Sequence, residues 1–162
     1  MRLIKHLFAP SAKRLFPTTT LEHIARAIAD SERSHSGEIC FAVEPGLHPR
    51  AVWAGHQARD RAHEVFAQLR VWDTQANNGV LLFLLLADHR IEIVADRGFQ
   101  GRVSDEQWRG VCQLVEERLR AGEPEAAVLR GVEALSALLT EHFPRAEGDH
   151  DVNELPDLPY AL

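Results

Sequence analysis

An uninterrupted run of apolar residues near the middle of the chain constrains the fold more than any other feature. Residues 80–86 read Val-Leu-Leu-Phe-Leu-Leu-Leu. This run is too short to span a membrane, but it suits a strand that is buried on both faces of a sheet. After a short polar link, Ile91 and Ile93 alternate with polar or smaller neighbours, as in a second strand. The two segments predict an antiparallel hairpin.

A further strand precedes the hairpin and is joined to it by a helix. Residues 38–44 have the composition of a strand and lie between two glycine-containing turns. Residues 51–69 carry apolar side chains at helical spacing, which predicts a single amphipathic helix. Strand, helix and strand in this order form a right-handed crossover, in which the two strands are parallel. Glu38 is therefore predicted to lie at the same end of the sheet as Asn78.

Amphipathic helices are also predicted before and after these strands. Thr19 with Glu22 has the pattern of a capping box, as does Ser104 with Gln107, and each box predicts the start of a helix. A last helix is predicted to end near His142. Together these elements indicate a layered α/β domain with a small mixed sheet.

Length and composition indicate one globular domain with two dissimilar ends. With 162 residues, of which 45% are hydrophobic and 26% charged, the chain is long enough to build a core. The domain is expected over residues 18–145, preceded by a basic amphipathic arm over residues 1–17. Residues 146–162 are expected to form an extended acidic tail with five carboxylate side chains. The apolar side chains expected to dock this tail are Leu155, Leu158 and Tyr160.

The arm admits two interpretations. Residues 1–16 carry four Lys or Arg side chains and no acidic one, interleaved with apolar residues. Such a segment packs on its own domain, which the helix-breaking Pro10 favours, or forms a weak anchor on a membrane surface. The second interpretation locates the protein at the inner face of the membrane.

Charge and cysteine content disfavour several classes of protein. The formal net charge of −6 argues against nucleic-acid binding, which requires a basic surface. Cys40 and Cys112 are far apart and lack the spacing of a metal site, which indicates a reducing, cytoplasmic setting. The first residues do not resemble a signal peptide, because charged side chains and Pro10 interrupt their apolar positions.

The predicted topology gathers polar side chains at one end of the sheet. Glu38 begins the first strand, and Asn77 and Asn78 precede the second. Asp96 follows the hairpin, with Asp105 just beyond the next turn. Calcium and magnesium prefer oxygen ligands from carboxylates, amides, the backbone and water. These five side chains therefore predict a divalent-metal site.

The same residues also fit two other interpretations. In a structural one, Asn78 and Arg97 supply turns with the glycines that follow them, and Glu38 pairs with Arg97. Asp105 would then stabilise the following helix through the helix dipole. In a catalytic one, a bound cation activates water for hydrolysis of a phosphate ester, and Arg97 stabilises the phosphate charge.

Several short motifs together resemble the TPM domain family. They are Ser36-Gly37-Glu38-Ile39, Asn78-Gly79-Val80-Leu81-Leu82, and a turn at Gly98 with Asp105 leading a helix. Family members also tend to have a turn like Arg120-Ala121-Gly122 before the final helix. The tail Asp151-Val152-Asn153-Glu154-Leu155-Pro156-Asp157 resembles that of the short, soluble members. The resemblance covers about residues 20–144.

The resemblance implies a three-layer α/β/α sandwich of Rossmann-like type, with a small mixed sheet that contains a central hairpin. The family includes a thylakoid-lumen protein of photosystem II repair, reported as a weak acid phosphatase, and bacterial proteins that bind metal. A non-catalytic module that binds calcium or magnesium and docks to a protein partner is expected here, with a weak metal-dependent acid phosphatase as the alternative. The chain has Asn77-Asn78-Gly79 and Asp96-Arg97-Gly98 where the family often has Asp-Asn-Gly and Gly-aromatic-Gly.

Overall fold

The computed structural model, which describes residues 1–149 and 153–162, contains a four-stranded mixed sheet. Its strands are β1 (Glu38–Glu44), β2 (Gly79–Leu85), β3 (Arg90–Ala95) and β4 (Tyr160–Ala161). They lie in the order β3-β2-β1-β4. β1 runs parallel to both of its neighbours, whereas β2 and β3 form the predicted antiparallel hairpin. The predicted parallel crossover between β1 and β2 is confirmed.

Helices cover both faces of this sheet. They are α1 (Arg2–Leu7), α2 (Ala12–Leu15), α3 (Thr18–Ser31), α4 (Pro49–Trp53), α5 (Ala58–Gln68), α6 (Asp105–Arg120) and α7 (Pro124–His142), and a short 3₁₀ helix spans Arg97–Phe99. α3, α6 and α7 share one hydrophobic core with the sheet, and α5 shares the other. The fold is the predicted three-layer α/β/α sandwich.

The apolar run is explained by burial on both sides of β2. Leu82 and Leu84 belong to the core under α3, α6 and α7, whereas Leu81 and Phe83 belong to the core under α5. Every residue of β2 is buried. An interior strand in a three-layer structure has no solvent-facing side, so its sequence does not alternate between apolar and polar residues.

The helix predicted over residues 51–69 is wrong, because the structure contains two helices there. α4 ends before Gly55, which has a φ of +81°. This left-handed backbone conformation suits glycine and stops the helix. α5 then begins after a capping box, in which Gln57 and Asp60 each accept the other's backbone N–H.

The two capping boxes predicted from the sequence have different outcomes. Ser104 and Gln107 form both reciprocal hydrogen bonds at the start of α6, so that box is confirmed. The box predicted at Thr19 is wrong, because α3 already begins at Thr18 and Pro17 takes the N-cap position without a side-chain hydrogen bond. The fixed φ of proline helps to start a helix without a capping side chain.

The described part of the C-terminal tail adds to the sheet. Residues 150–152 of the predicted tail lie outside the described residues. Leu155 is buried in the core under α5, and Tyr160 pairs with Ala42 to form β4 beside β1. Leu158 remains 69% exposed, so its predicted docking role is wrong. The tail therefore crosses the start of β1 before it joins the edge of the sheet.

Candidate metal centre

Three carboxylates meet where β1 begins. Glu32 directly follows α3, Glu38 is the first residue of β1, and Asp157 belongs to the tail. One carboxylate oxygen of each lies within 4.8 Å of those of the other two. Within residues 1–149 and 153–162, no other three His, Cys, Asp or Glu side chains gather so closely. We refer to Glu32, Glu38 and Asp157 as the carboxylate centre.

Backbone groups hold the two glutamates of the carboxylate centre in place. Glu32 Oε1 accepts the N–H of Ile39 at 3.2 Å. Because side chains alternate along a strand, Glu38 shares a face with Cys40, which lies in the core under α5. Glu38 Oε1 accepts the N–H of Glu154 at 2.9 Å and so attaches the tail. Only 3% of Glu32 and 4% of Glu38 is exposed.

Two oxygens of the carboxylate centre receive no hydrogen bond from an N–H or a hydroxyl group. These are Glu38 Oε2 and Asp157 Oδ1, which are both buried. Glu32 and Glu38 are hydrogen-bonded to each other through their carboxyl groups. Leaving a buried polar atom unsatisfied costs about 1 to 3 kcal/mol, and more when the group is charged. A proton or a bound cation would remove that cost. The carboxylate centre therefore has the character of a site that is completed by a positive charge.

Burial and like charge both oppose ionisation of the carboxylate centre. Burial, followed by the nearby charge of Glu38, raises the pKa of Glu32 to about 9. Burial is also the main cause that raises the pKa of Glu38. The thiol of Cys40 is affected as well, because burial and the two glutamates raise its pKa to about 12. Cys40 is consequently a poor nucleophile at neutral pH.

The structure brings Glu38 and Asn78 together, as predicted from the parallel crossover. The backbone carbonyl of Asn78 accepts the N–H of Glu38 at 3.3 Å. The Asn78 side chain is 1% exposed, and its Nδ2 donates to Ser36 Oγ at 3.3 Å. Its Oδ1 is buried and has no partner. Asn78 thus offers a further unsatisfied oxygen at this end of the sheet.

Asn77 and Asp96 form a separate cluster with the 3₁₀ helix. The Asn77 carbonyl accepts the N–H of Gly98 at 2.8 Å, and its side-chain Oδ1 accepts from Arg97 Nε at 3.1 Å. Asp96 Oδ1 accepts the N–H of Arg97 at 2.8 Å, while Asp96 Oδ2 is buried without a partner. The pair predicted between Glu38 and Arg97 is therefore wrong, because the Arg97 side chain binds Asn77 instead.

Gly79 explains why these two groups of residues are separate. It lies opposite Glu38 in the register, and its carbonyl accepts the N–H of Asp96 at 2.9 Å. Glu38 and Asp96 are thus two strands apart, a separation of roughly 10 Å. A Cβ atom on Gly79 would collide with the backbone carbonyl oxygen of Val71. The backbone at Val71 therefore packs directly on Gly79, which lies between Glu38 and Asp96 in the sheet.

Among the described residues, the Asp105 side chain makes no hydrogen bond to either group. It is exposed at the first position of α6, within the turn where negative charge stabilises a helix. In the described part of the chain, neither Asp105 nor Asp96 belongs to a group of three potential metal-binding side chains of the His, Cys, Asp or Glu types. The structure therefore separates the five predicted metal ligands into the carboxylate centre with Asn78, the Asn77–Asp96 cluster, and Asp105.

Sequence reasoning missed Glu32 and Asp157. Glu32 follows the end of a helix, where an acidic side chain is ordinarily solvated. Asp157 carried a usable signal, because residues two apart in an extended segment share a face. Docking of the tail through the buried Leu155 therefore turns Asp157 toward the protein as well.

A large groove lies at the other end of the sheet, away from the carboxylate centre. Its volume is about 990 Å³. Leu84, Leu86 and Leu119 contribute apolar lining, and Lys5 and Phe8 of the arm form part of its rim. Because β1 and β2 are parallel, Leu84 lies at the opposite end of the sheet from Glu38. The groove therefore takes no part in the carboxylate centre.

Comparisons with known proteins agree with this fold. The chain matches the family model of the TPM domain over residues 12–138. It is similar to the NMR structure of the BA42 protein from the psychrophilic bacterium Bizionia argentinensis, with a TM-score of 0.78 and 27% identity over 90% of this chain and 94% of that one. It shares its fold with the N-terminal domain of a protein from P. gingivalis, with a TM-score of 0.64 and 20% identity over 85% of this chain and 86% of that one. No curated protein matches the chain. The family match spans most of the sequence, and the chain therefore belongs to the TPM domain family.

Proposed function

We propose that this protein is a non-catalytic module that binds a divalent cation through the carboxylate centre and docks to a protein partner. The observation that carries the proposal is the gathering of three carboxylates, Glu32, Glu38 and Asp157, around the buried Glu38 Oε2, which no N–H or hydroxyl group contacts. The free cysteines Cys40 and Cys112 are in keeping with a cytoplasmic setting.

The donor set fits a hard cation such as calcium or magnesium. Calcium binds carboxylate and carbonyl oxygens at about 2.3 to 2.6 Å, so two of its ligand oxygens lie at most about 5 Å apart. The oxygens of Glu32, Glu38 and Asp157 lie within 4.8 Å of one another, which is inside that limit. A divalent charge would also offset the mutual repulsion that opposes ionisation of Glu32 and Glu38. Backbone carbonyls and water would complete the coordination.

The Asn77–Asp96 cluster is the other location at which the proposed cation could bind. Its support is the unpartnered, buried Asp96 Oδ2 beside the amide oxygen of Asn77. The Asn77–Asp96 cluster has one carboxylate, that of Asp96, whereas the carboxylate centre has three carboxylates. Calcium affinity depends on the number of charged ligands. The carboxylate centre is therefore the preferred location.

Calorimetric titration of metal-stripped protein with calcium, and then with magnesium, tests the proposal. We expect saturable heat with the unaltered protein. We expect affinity at least about tenfold weaker in Glu38→Gln and in Asp157→Asn, because each loses one charged ligand. Asp149→Asn is a matched control, since Asp149 is an exposed carboxylate of the same tail.

The outcomes separate the two locations. Heat that is lost in Asp96→Asn and retained in Glu38→Gln would move the site to the Asn77–Asp96 cluster. No heat with either ion in a folded, metal-stripped protein would reject cation binding altogether. A thermal melt of each variant shows whether the fold is kept.

A weak metal-dependent phosphatase is the second candidate. The observation that favours it is the exposed Arg97, whose guanidinium is held by Asn77 next to Asp96. An arginine in this position could bind a phosphate monoester above a cation. The test is turnover of a chromogenic phosphate ester with calcium or magnesium, using Asp96→Ala and Asp105→Ala. Activity that is absent, or equal in both variants and the unaltered protein, removes these residues from a catalytic role.

A further inference from the structure

The arm and α4 together carry most of the large apolar side chains that are exposed. Within the described residues, eight large apolar side chains are exposed, and five of them belong to these two segments. Phe8 is 81% exposed and Trp53 is 86% exposed. The five residues are Met1, Ile4, Leu7, Phe8 and Trp53. α1 packs against α4, so the two segments are neighbours on the surface.

Polar contacts help to hold α1 on the domain. Arg2 Nη2 binds Asp88 Oδ2 at 2.8 Å, and His6 Nε2 lies 3.0 Å from Asp88 Oδ1. The N–H of Leu47 donates to His6 Nδ1 at 2.9 Å, so the proton of a neutral His6 ring is on Nε2 and points to Asp88. These contacts set the orientation of the helix. Its apolar side chains Ile4 and Leu7 are left exposed.

Charge is distributed unevenly between this region and the rest of the protein. The chain has a formal net charge of −6, yet residues 1–21 and residues 45–59 contain no Asp or Glu. Lys5 and Arg50 are exposed among the apolar side chains. The nearby carboxylate of Asp88 is already paired with Arg2. The region is therefore a cationic and apolar surface on an acidic protein.

We propose that this surface docks onto the anionic headgroups of a lipid membrane. We call it the α1–α4 face, and it consists of Met1, Ile4, Lys5, Leu7, Phe8, Arg50 and Trp53. Cations that attract anionic lipid, combined with apolar side chains that enter the headgroup boundary, are the features of a peripheral membrane surface. Tryptophan favours that boundary. No helix among the described residues has the length and hydropathy of a membrane span, so the proposed contact lies on the surface.

Two alternatives to a membrane make different predictions from the same structure. A neutral apolar partner or a second copy of this chain would use Phe8 and Trp53 but would not require Lys5 and Arg50. Electrostatic attraction to anionic lipid weakens as salt rises, whereas apolar contact alone does not. The charge complementarity of the α1–α4 face therefore favours the lipid surface.

Co-sedimentation with vesicles tests the proposal. The probes are neutral phosphatidylcholine vesicles and vesicles that also contain about one-third phosphatidylglycerol, each at low and at high salt. We expect binding to the anionic vesicles at low salt and much weaker binding in the other conditions. We expect the Phe8→Ala, Trp53→Ala double variant and the Lys5→Glu variant each to reduce the partition coefficient at least about tenfold.

Matched controls come from other surfaces of the same protein. Trp72→Ala removes an aromatic side chain that is 47% exposed, and Arg109→Glu reverses an exposed charge on α6. Both controls should bind like the unaltered protein. The proposal is overturned if no binding occurs, if neutral vesicles bind equally well, or if the controls lose as much as the α1–α4 face variants. A dimer in sedimentation equilibrium that dissociates in Trp53→Ala would assign the face to a second copy instead.

Discussion

Raising the pH from about 5 to about 9 is expected to destabilise the metal-stripped protein, and added calcium is expected to remove most of that loss. Glu32 has an ordinary carboxyl pKa of 4.5 when it is solvated, and a pKa of about 9 in the folded protein. Between these values the folded protein keeps a proton that the unfolded chain has released. Stability is therefore complete at the acidic end and decreases as the pH rises through this interval.

The size of the loss in stability follows from the proton that Glu32 holds in the folded protein and releases in the unfolded chain. One proton difference changes the unfolding free energy by up to about 1.4 kcal/mol for each pH unit. The pKa of Glu38 is also raised, mainly by burial, so Glu38 acts in the same direction as Glu32. Asp88 acts in the opposite direction: burial opposes its ionisation, but Arg2 and His6 outweigh burial and lower its pKa, so its contribution to stability is lost only in acid. Arg145 binds the backbone carbonyls of Glu32 and His35, and these bonds persist across the interval.

Denaturant unfolding at a series of pH values, in chelator and in excess calcium, measures this effect. Glu32→Gln is the informative variant, because a neutral amide cannot release a proton and should flatten the curve. The carboxylate centre would be disproved as the cause if Glu32→Gln and the Glu32→Gln, Glu38→Gln double variant both kept the slope of the unaltered protein. Stability that rises with pH in chelator would contradict the raised pKa of Glu32 itself.

Substitution of Gly79 by alanine is expected to produce the largest loss of stability among the glycine positions at the start of the sheet. The added Cβ would collide with the carbonyl oxygen of Val71, which is a backbone atom and cannot rotate away. Overpacking a rigid interior costs about 1 to 3 kcal/mol and occasionally more, and we expect a value near the upper end. The shift would also disturb Glu38 and Asp96, which pair with Gly79 from either side.

Gly110→Ala provides the matched control. Gly110 lies within α6, and a Cβ atom added there meets no neighbour within 4 Å. Alanine is favoured over glycine inside a helix by about 1 kcal/mol, so this variant should be slightly more stable. Comparison of the two urea midpoints checks the prediction. Equal midpoints for Gly79→Ala and Gly110→Ala would show that the close approach of Val71 is not rigid.

Elements with strong local patterns could be predicted from the sequence. The burial of β2 on both faces requires an apolar run, and the parallel direction of β1 and β2 follows from the order strand, helix, strand. The break between α4 and α5 was not predictable by periodicity, because a single glycine in an otherwise helical pattern is often tolerated. β4 consists of only two residues, a length that carries no detectable pattern.

Only the part of the candidate site that is formed by the parallel crossover could be predicted from the sequence. Glu38 and Asn78 could be brought together because both belong to the parallel crossover. The spacing of Asp157 from Leu155 indicated that Asp157 faces the protein, but its contact with Glu38 depends on the tail passing the start of β1, which no local pattern encodes. The close packing of Val71 on Gly79 also could not be predicted from the sequence. Asp96 was therefore expected nearer to Glu38 than it is.

The docked tail also covers one edge of the sheet. Without Tyr160 and Ala161, β1 would be the outermost strand of the sheet, with the backbone groups of Ala42 and Val43 open to other extended chains. The N–H of Leu162 further occupies the carbonyl of Val43 at 2.8 Å. Exposed strand edges are templates for aggregation. We therefore expect detachment of the tail from Glu38 to expose the edge of β1 and favour aggregation, as well as to disturb the proposed cation site.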